Sequence, residues 1–189
     1  NVRLFESGAI LLHLAEQDAA LLPRDPQGRA TVTSWLFAAY NSVEPLMFEL
    51  SNIEIFAAGE EWARLRRPGL LEFLRTRLGK LAEALGDRPY LAGDFSVADI
   101  AMATVLREGI EAGVVAEHPR LETYLARCLD RPAFGRALAA QLAAFTEEPS
   151  EWVADPERAV EYGPSPEESA ISREMVEARL EGVKDRPGG

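Results

Sequence analysis

Apolar residues recur at three- and four-residue spacing through most of this chain, and no stretch alternates apolar with polar between turn signals. The pattern predicts helices in series and no strand. A first short helix is expected from Glu6 or Ser7 to Gln17 or Asp18, followed by an extended linker, Leu21-Leu22-Pro23-Arg24-Asp25-Pro26. Asp25 as N-cap, with Pro26 at the first helical position, opens a helix that carries Val32, Trp35, Leu36, Ala39 and Tyr40 and continues toward Phe56. Pro45 lies inside it and removes a backbone hydrogen bond, so a bend is expected near Asn41 to Glu44. Glu60 to Arg67 reads as a turn or a further helical piece. Pro68 then begins a helix with Leu71, Phe73 or Leu74, Leu78, Leu81 and Leu85 on one face, closed by Gly86. Two later helices, Pro119 to Leu129 and Pro132 to Phe145, each have proline in the first turn.

The most complete helix start stands between these, at Phe95-Ser96-Val97-Ala98-Asp99-Ile100. Ser96 is placed to cap the N–H three residues on, and Asp99 to reach back to the N–H of Ser96, which is a capping box with Asp in the usual Glu position. Phe95 and Ile100 flank it as a hydrophobic staple. So many start signals suit a helix whose N-terminus is buried, where no water satisfies the first N–H groups. This helix is expected over Val97 to Ala112, stopping at Gly113. Asp99 is read as a structural cap and not as a catalytic acid.

The last segment differs from the rest. Thr146 to Gly189 holds five of the 12 prolines, and Glu147 to Gly189 carries twelve acidic and five basic residues, a net of −7. This composition predicts an extended, solvated tail. Within it, Ser165-Pro166-Glu167-Glu168 is a capping box followed by Ile171, Met175, Val176, Ala178, Leu180 and Val183, which predicts one amphipathic helix ending at Gly182. The charge of the whole chain, −11, argues against nucleic acid and against anionic membrane surfaces as partners. No apolar run approaches the ~18 residues of a membrane span.

With 47% hydrophobic residues in 189, the chain is long enough for one core. The single cysteine, Cys128, excludes an internal disulfide framework and a cysteine-based zinc site and fits a reducing compartment. In a predicted helix, it reads as a small, partly buried residue. His13 and His118 have no partners at metal-ligand spacing, so no metal is expected. There is no glycine-rich phosphate loop, nucleophile elbow or paired-carboxylate site. The chain opens on Asn1 and runs almost at once into an amphipathic helix with nothing before it to pack on, the pattern expected of a chain that starts inside a domain.

Two separated signatures now agree: Glu6-Ser7-Gly8-Ala9-Ile10 with the Leu22-Pro23-Arg24-Asp25-Pro26 linker, and the Arg88 to Thr104 block with its capping box and staple. Together they resemble the cytosolic glutathione transferases of bacterial type, over roughly Leu4 to Phe145. The resemblance implies an all-α chain with a glutathione-transferase-type helical bundle and the remnant of an α/β thioredoxin-like domain. Residues 1–17 would be that remnant, its last helix, residues 18–25 the linker, residues 26–145 the C-terminal helical domain and residues 146–189 the acidic tail. The part of the family fold that supplies the Tyr, Ser or Cys contacting the glutathione sulfur has no counterpart here, so no catalytic residue is assigned.

The same resemblance implies glutathione as co-substrate, conjugated to a hydrophobic electrophile or used in a related thiol reaction, by a cytoplasmic homodimer with a detoxifying role. Glutathione binding falls to Glu6 and Ser7. A helix N-terminus with a hydroxyl suits the γ-glutamyl carboxylate, and a neighbouring Glu suits its ammonium. From spacing alone, the pair reads first as a plain helix cap, and the resemblance reverses that order. Phe37, Tyr40, Asn41 and Arg107 are candidate contacts to the second substrate or across a dimer, with a bend-easing role for Asn41 and a solvated Arg107–Glu108 surface pair as the alternatives. A non-catalytic binding or scaffold protein of the same fold is the other reading, favoured by the acidic tail, and an inactive fragment is a third.

Overall fold

The computed structural model describes residues 2–110 and 112–143. Among the described residues seven α-helices follow one another: α1 (Ser7–Ala15), α2 (Pro26–Ala38), α3 (Glu44–Ser51), α4 (Glu61–Leu85), α5 (Val97–Glu108), α6 (Pro119–Leu129) and α7 (Pro132–Ala143). Among the described residues there is no strand. Two isolated bridges, Tyr90 to Gly93 and Ala92 to Asp94, fold the loop before α5. The expected tail helix and residues 146–189 lie outside the described residues, as do the last two residues expected of α7.

The bundle is organised around α5. Val97, Ala98, Asp99, Ala101, Met102, Ala103, Val105 and Leu106 are all buried, so this helix is enclosed on nearly every side, with α1, α2, α3 and α6 packed against it. Its alanines let neighbours approach closely. It ends four residues earlier than the sequence pattern predicts, at Glu108. A Cβ on Gly109 would lie 2.9 Å from Met47 Sδ, so α3 packs tightly against the residue that follows α5. Gly113, at φ +72, turns the chain after it.

The bend expected before Pro45 takes a specific form. Ala39–Val43 is a π-helical turn, closed by the Glu44 N–H donating to the Ala39 carbonyl, and the proline falls in the first turn of α3, where a missing N–H costs little. A second π-turn, Asn52–Phe56, ends the segment. Pro68 does not begin a helix. It sits inside α4, which starts at Glu61 and takes the helical alternative for residues 60–67. The first turns of α4 are tied to the preceding segment by Arg66 to Glu49, at 2.7 and 3.1 Å, and by Arg67 to Glu54, at 2.6 and 3.0 Å. Ala63, Leu70, Leu71, Leu74, Leu78, Leu81 and Leu85 bury the helix along its length, which offsets the one hydrogen bond that Pro68 removes. Gly86 closes α4 at φ +61, as its position predicts.

Asp25 caps α2, its Oδ1 accepting from Gly28 N–H at 2.7 Å. The linker before it is not free. The Leu21 carbonyl accepts the N–H of Val97, the first residue of α5, at 3.0 Å, and Leu22 is buried.

Candidate functional site

The capping box forms, and it reaches further than one helix turn. Asp99 is fully buried and accepts four hydrogen bonds: from Ser96 N–H at 2.9 Å, Ser96 Oγ–H at 3.0 Å, Leu91 N–H at 3.0 Å and Tyr124 O–H at 3.0 Å. One carboxylate thereby joins the preceding loop, the start of α5 and the middle of α6. Burial raises the Tyr124 pKa first, and the Asp99 charge raises it further, which keeps the phenol a proton donor to that charge. Cys128 lies one helical turn on, buried, and its thiol is pushed up to about 11 by burial and by Asp99. A thiol held in that form is a poor nucleophile. With every member occupied, this group fixes the fold and offers nothing to a ligand.

The start of α1 is built differently. Glu6 stands at φ 70, ψ 122, the only residue other than glycine at positive φ among those described, a conformation that costs roughly 1–3 kcal/mol. Its carbonyl accepts the Ile10 N–H at 3.0 Å, so the strained residue still closes the first turn. No side chain caps α1. The N–H groups of Ser7, Gly8 and Ala9 therefore keep their donor capacity beside the exposed Ser7 hydroxyl. Glu6 holds the N-cap position of α1, but neither its side chain nor that of Ser7 caps the helix.

Tyr40, in the π-turn, covers this start from the bundle side. A Cβ on Gly8 would meet its ring at 3.4 Å, so the ring packs directly on the first turn of α1. Next to Tyr40 a chain of carboxylates interacts. Burial raises the Glu44 pKa and Glu6 raises it further. Burial likewise raises that of Glu108, with Glu44 as the second cause, and Tyr40 is raised by burial and by Glu44. Glu44 is thus the middle member of a group running from α1 through α3 to α5. An uncapped helix N-terminus with Glu6 and Glu44 beside it complements a zwitterion, with its carboxylate at the N–H groups and its ammonium at the acids.

The structure brings Glu6, Ser7 and Tyr40 together and leaves other candidates apart. Phe37 and Asn41 are exposed, and Asn41 makes no side-chain hydrogen bond to the described residues. The Arg107 guanidinium lies 5.0 Å over the Phe134 ring, between α5 and α7. Glu44 carries no helix-start or motif signal, and the sequence pattern passes over it. Its spacing of four from Tyr40 was the one pointer, because a helix places such residues on one face. No group of His, Cys, Asp and Glu suited to a metal ion occurs among the described residues, and no helix there is long and apolar enough to cross a membrane.

No protein-family model matches the chain. It is 31% identical over 144 residues to the disulfide-bond oxidoreductase YfcG of Escherichia coli, a match covering 71% of this chain and 63% of that protein. Among solved structures, it resembles a glutathione transferase of Burkholderia graminis with two glutathione molecules bound per subunit. The TM-score is 0.69 at 34% identity, over 74% of this chain and 61% of that one. The ternary complex of BphK, a bacterial GST, matches with a TM-score of 0.63 at 30% identity, over 73% of this chain and 68% of that one. The chain therefore spans less than two thirds of the length of YfcG and of the Burkholderia enzyme.

Proposed function

This chain belongs to the glutathione transferase family, and on that premise we propose that it is part of a glutathione-dependent enzyme in which the start of α1 holds the γ-glutamyl end of glutathione. The observation that carries this is the uncapped, strained N-terminus at Glu6 and Ser7 beside the Glu44 carboxylate. The Ser7 hydroxyl and the first-turn N–H groups receive the γ-glutamyl carboxylate. Glu6 and Glu44 receive the α-ammonium, and Tyr40 walls the end of the site.

Anchoring is half of the chemistry. The glutathione thiol, with an ordinary pKa of about 8.5, must become a thiolate to attack. No residue of this chain is assigned that task, and the buried Cys128 is unsuited to it. The thiolate then attacks an electrophilic carbon and displaces its leaving group, or attacks a disulfide sulfur and releases a thiolate, which is the kind of reaction the name of YfcG describes. In this reading residues 1–17 are the last helix of a thioredoxin-like glutathione-binding domain, 18–25 the linker, 26–145 the helical domain bounding the second-substrate pocket and 146–189 an appended tail. The protein works in the cytoplasm as a homodimer. Phe37, Phe48, Trp62, Leu65 and Phe73 are each at least half exposed and supply apolar surface for the second copy, with Asn41 close to its edge.

Calorimetric titration of glutathione into the complete gene product tests the site. Binding is expected, and Ser7→Ala should weaken it about tenfold, roughly 1.4 kcal/mol for one hydrogen bond to a charged group, with the urea midpoint unchanged. Absence of binding, together with no turnover of either a chlorinated aromatic acceptor or glutathione disulfide, would overturn the reading.

A further inference from the structure

The solvent face of α4 carries a pattern that fits itself. Trp62, Leu65 and Phe73 lie on that face, each at least half exposed, with Gly69 between them at helical spacing. The face points away from the leucines that bury the helix. Nothing within its own molecule requires Gly69 to be glycine: a Cβ there would meet only Arg66 Nη1, at 3.8 Å. Glycine weakens a helix interior relative to alanine, and what it offers is room for another backbone to come close.

Around Gly69 the sequence complements its own reversal. Arg66 and Glu72 stand three residues to either side, Leu65 and Phe73 four, Trp62 and Thr76 seven, and Glu61 and Arg77 eight. All lie within about 80° of Gly69 around the helix. Two copies of α4 laid antiparallel across a two-fold axis at Gly69 bring Arg66 to Glu72 of the partner subunit, Leu65 to the partner's Phe73 and Glu61 to the partner's Arg77. A parallel pair would set arginine against arginine and glutamate against glutamate. The Glu72 carboxylate has no ion pair among the described residues. Glu61 is held only by Arg64, at 3.5 Å and largely exposed. Glu49 fixes Arg66 through Nε and Nη2, at 2.7 and 3.1 Å, and leaves Nη1 beside Gly69.

We propose that two copies of the chain associate by antiparallel packing of α4 on α4, crossing at Gly69, with Arg66 and Glu72 paired across the two-fold axis. This rests on the homodimer reading and gives it a register. Burial of Trp62, Leu65 and Phe73 drives the association, and the charge pairs select the antiparallel order.

Sedimentation of the full 189-residue chain over a range of concentrations tests the register. Glu72→Arg should weaken the dimer at least about tenfold, because it sets like charges together twice per dimer, and Gly69→Trp should do the same by filling the crossing point. Both positions are exposed, so far-UV circular dichroism should stay as in the wild type. Adding Arg66→Glu to Glu72→Arg should return the dimer constant to within about threefold of wild type. A dimer that ignores Glu72→Arg and Gly69→Trp, or that the double substitution fails to restore, would overturn this register and leave the homodimer standing. A monomer at every concentration would overturn both.

Discussion

The starts of α1 and α5 face the same problem, backbone N–H groups without intrahelical partners, and resolve it by opposite means. At α5 the start is tied down from within the molecule: Val97 N–H by the Leu21 carbonyl, Asp99 N–H by the Ser96 carbonyl, Ser96 N–H and Leu91 N–H by the Asp99 carboxylate, and that carboxylate in turn by Tyr124. At α1 no side chain caps the helix, the residue before it is strained, and carboxylates gather nearby. A closed helix start stores stability, whereas an open one leaves its donors unspent. Two Ser-containing helix starts in one chain are therefore satisfied differently, and the difference lies in what surrounds them.

The largest test of that contrast is Asp99→Ala. It strands the Leu91 and Ser96 N–H groups and the Tyr124 hydroxyl in the core, so the urea midpoint should fall by the equivalent of about 3–5 kcal/mol. A loss under about 1 kcal/mol would mean that water reaches the site and that the two starts are alike. At α1 the sign reverses. Glu6→Gly relieves the positive φ and should stabilise the protein by roughly 1 kcal/mol in the same measurement, while glutathione affinity falls. A destabilised Glu6→Gly would show that the strain is offset by contacts made in the free protein.

The smallest effect is electrostatic. Glu44 and Glu108 have pKa values raised by burial first and by a neighbouring carboxylate second, so the folded state holds their protons more tightly than the unfolded state does. Stability must then decline as pH rises from the ordinary value of 4.5 through their raised values. Glu44→Gln should flatten that decline in the thermal midpoint, because it removes one group and the charge that raises the other. An unaltered slope would remove Glu44 from the cluster.

Local signals made most of the fold legible. The caps at Asp25 and Ser96, the prolines at the starts of α2, α6 and α7, and Gly86 each act within one helical turn, and each stands where its chemistry predicts. What the pattern misses acts at longer range. Pro68 reads as a helix start, but the leucine stripe and the Arg66 and Arg67 ion pairs carry α4 through it. α5 ends early, just before Gly109, which lies against Met47, a residue distant in sequence. Of the candidate site, Glu6 and Ser7 were named through the family resemblance, and Tyr40 was placed on the segment that bends before Pro45. The strain at Glu6 and the role of Glu44 were not readable, because a backbone angle and a neighbour from another helix leave no periodic trace.

The hydrogen bond from Val97 to the Leu21 carbonyl closes a loop of 76 residues, while the Tyr124 bond to Asp99 closes one of 25. The buried start of α5 is therefore complete only when three distant stretches of chain have converged on it. Before that moment its polar groups must stay in water, which keeps the central helix from burying itself early in a wrong partner. During synthesis the stretch containing Tyr124 emerges last of the three, so the bundle locks late, on a condition that the N-terminal half cannot meet alone.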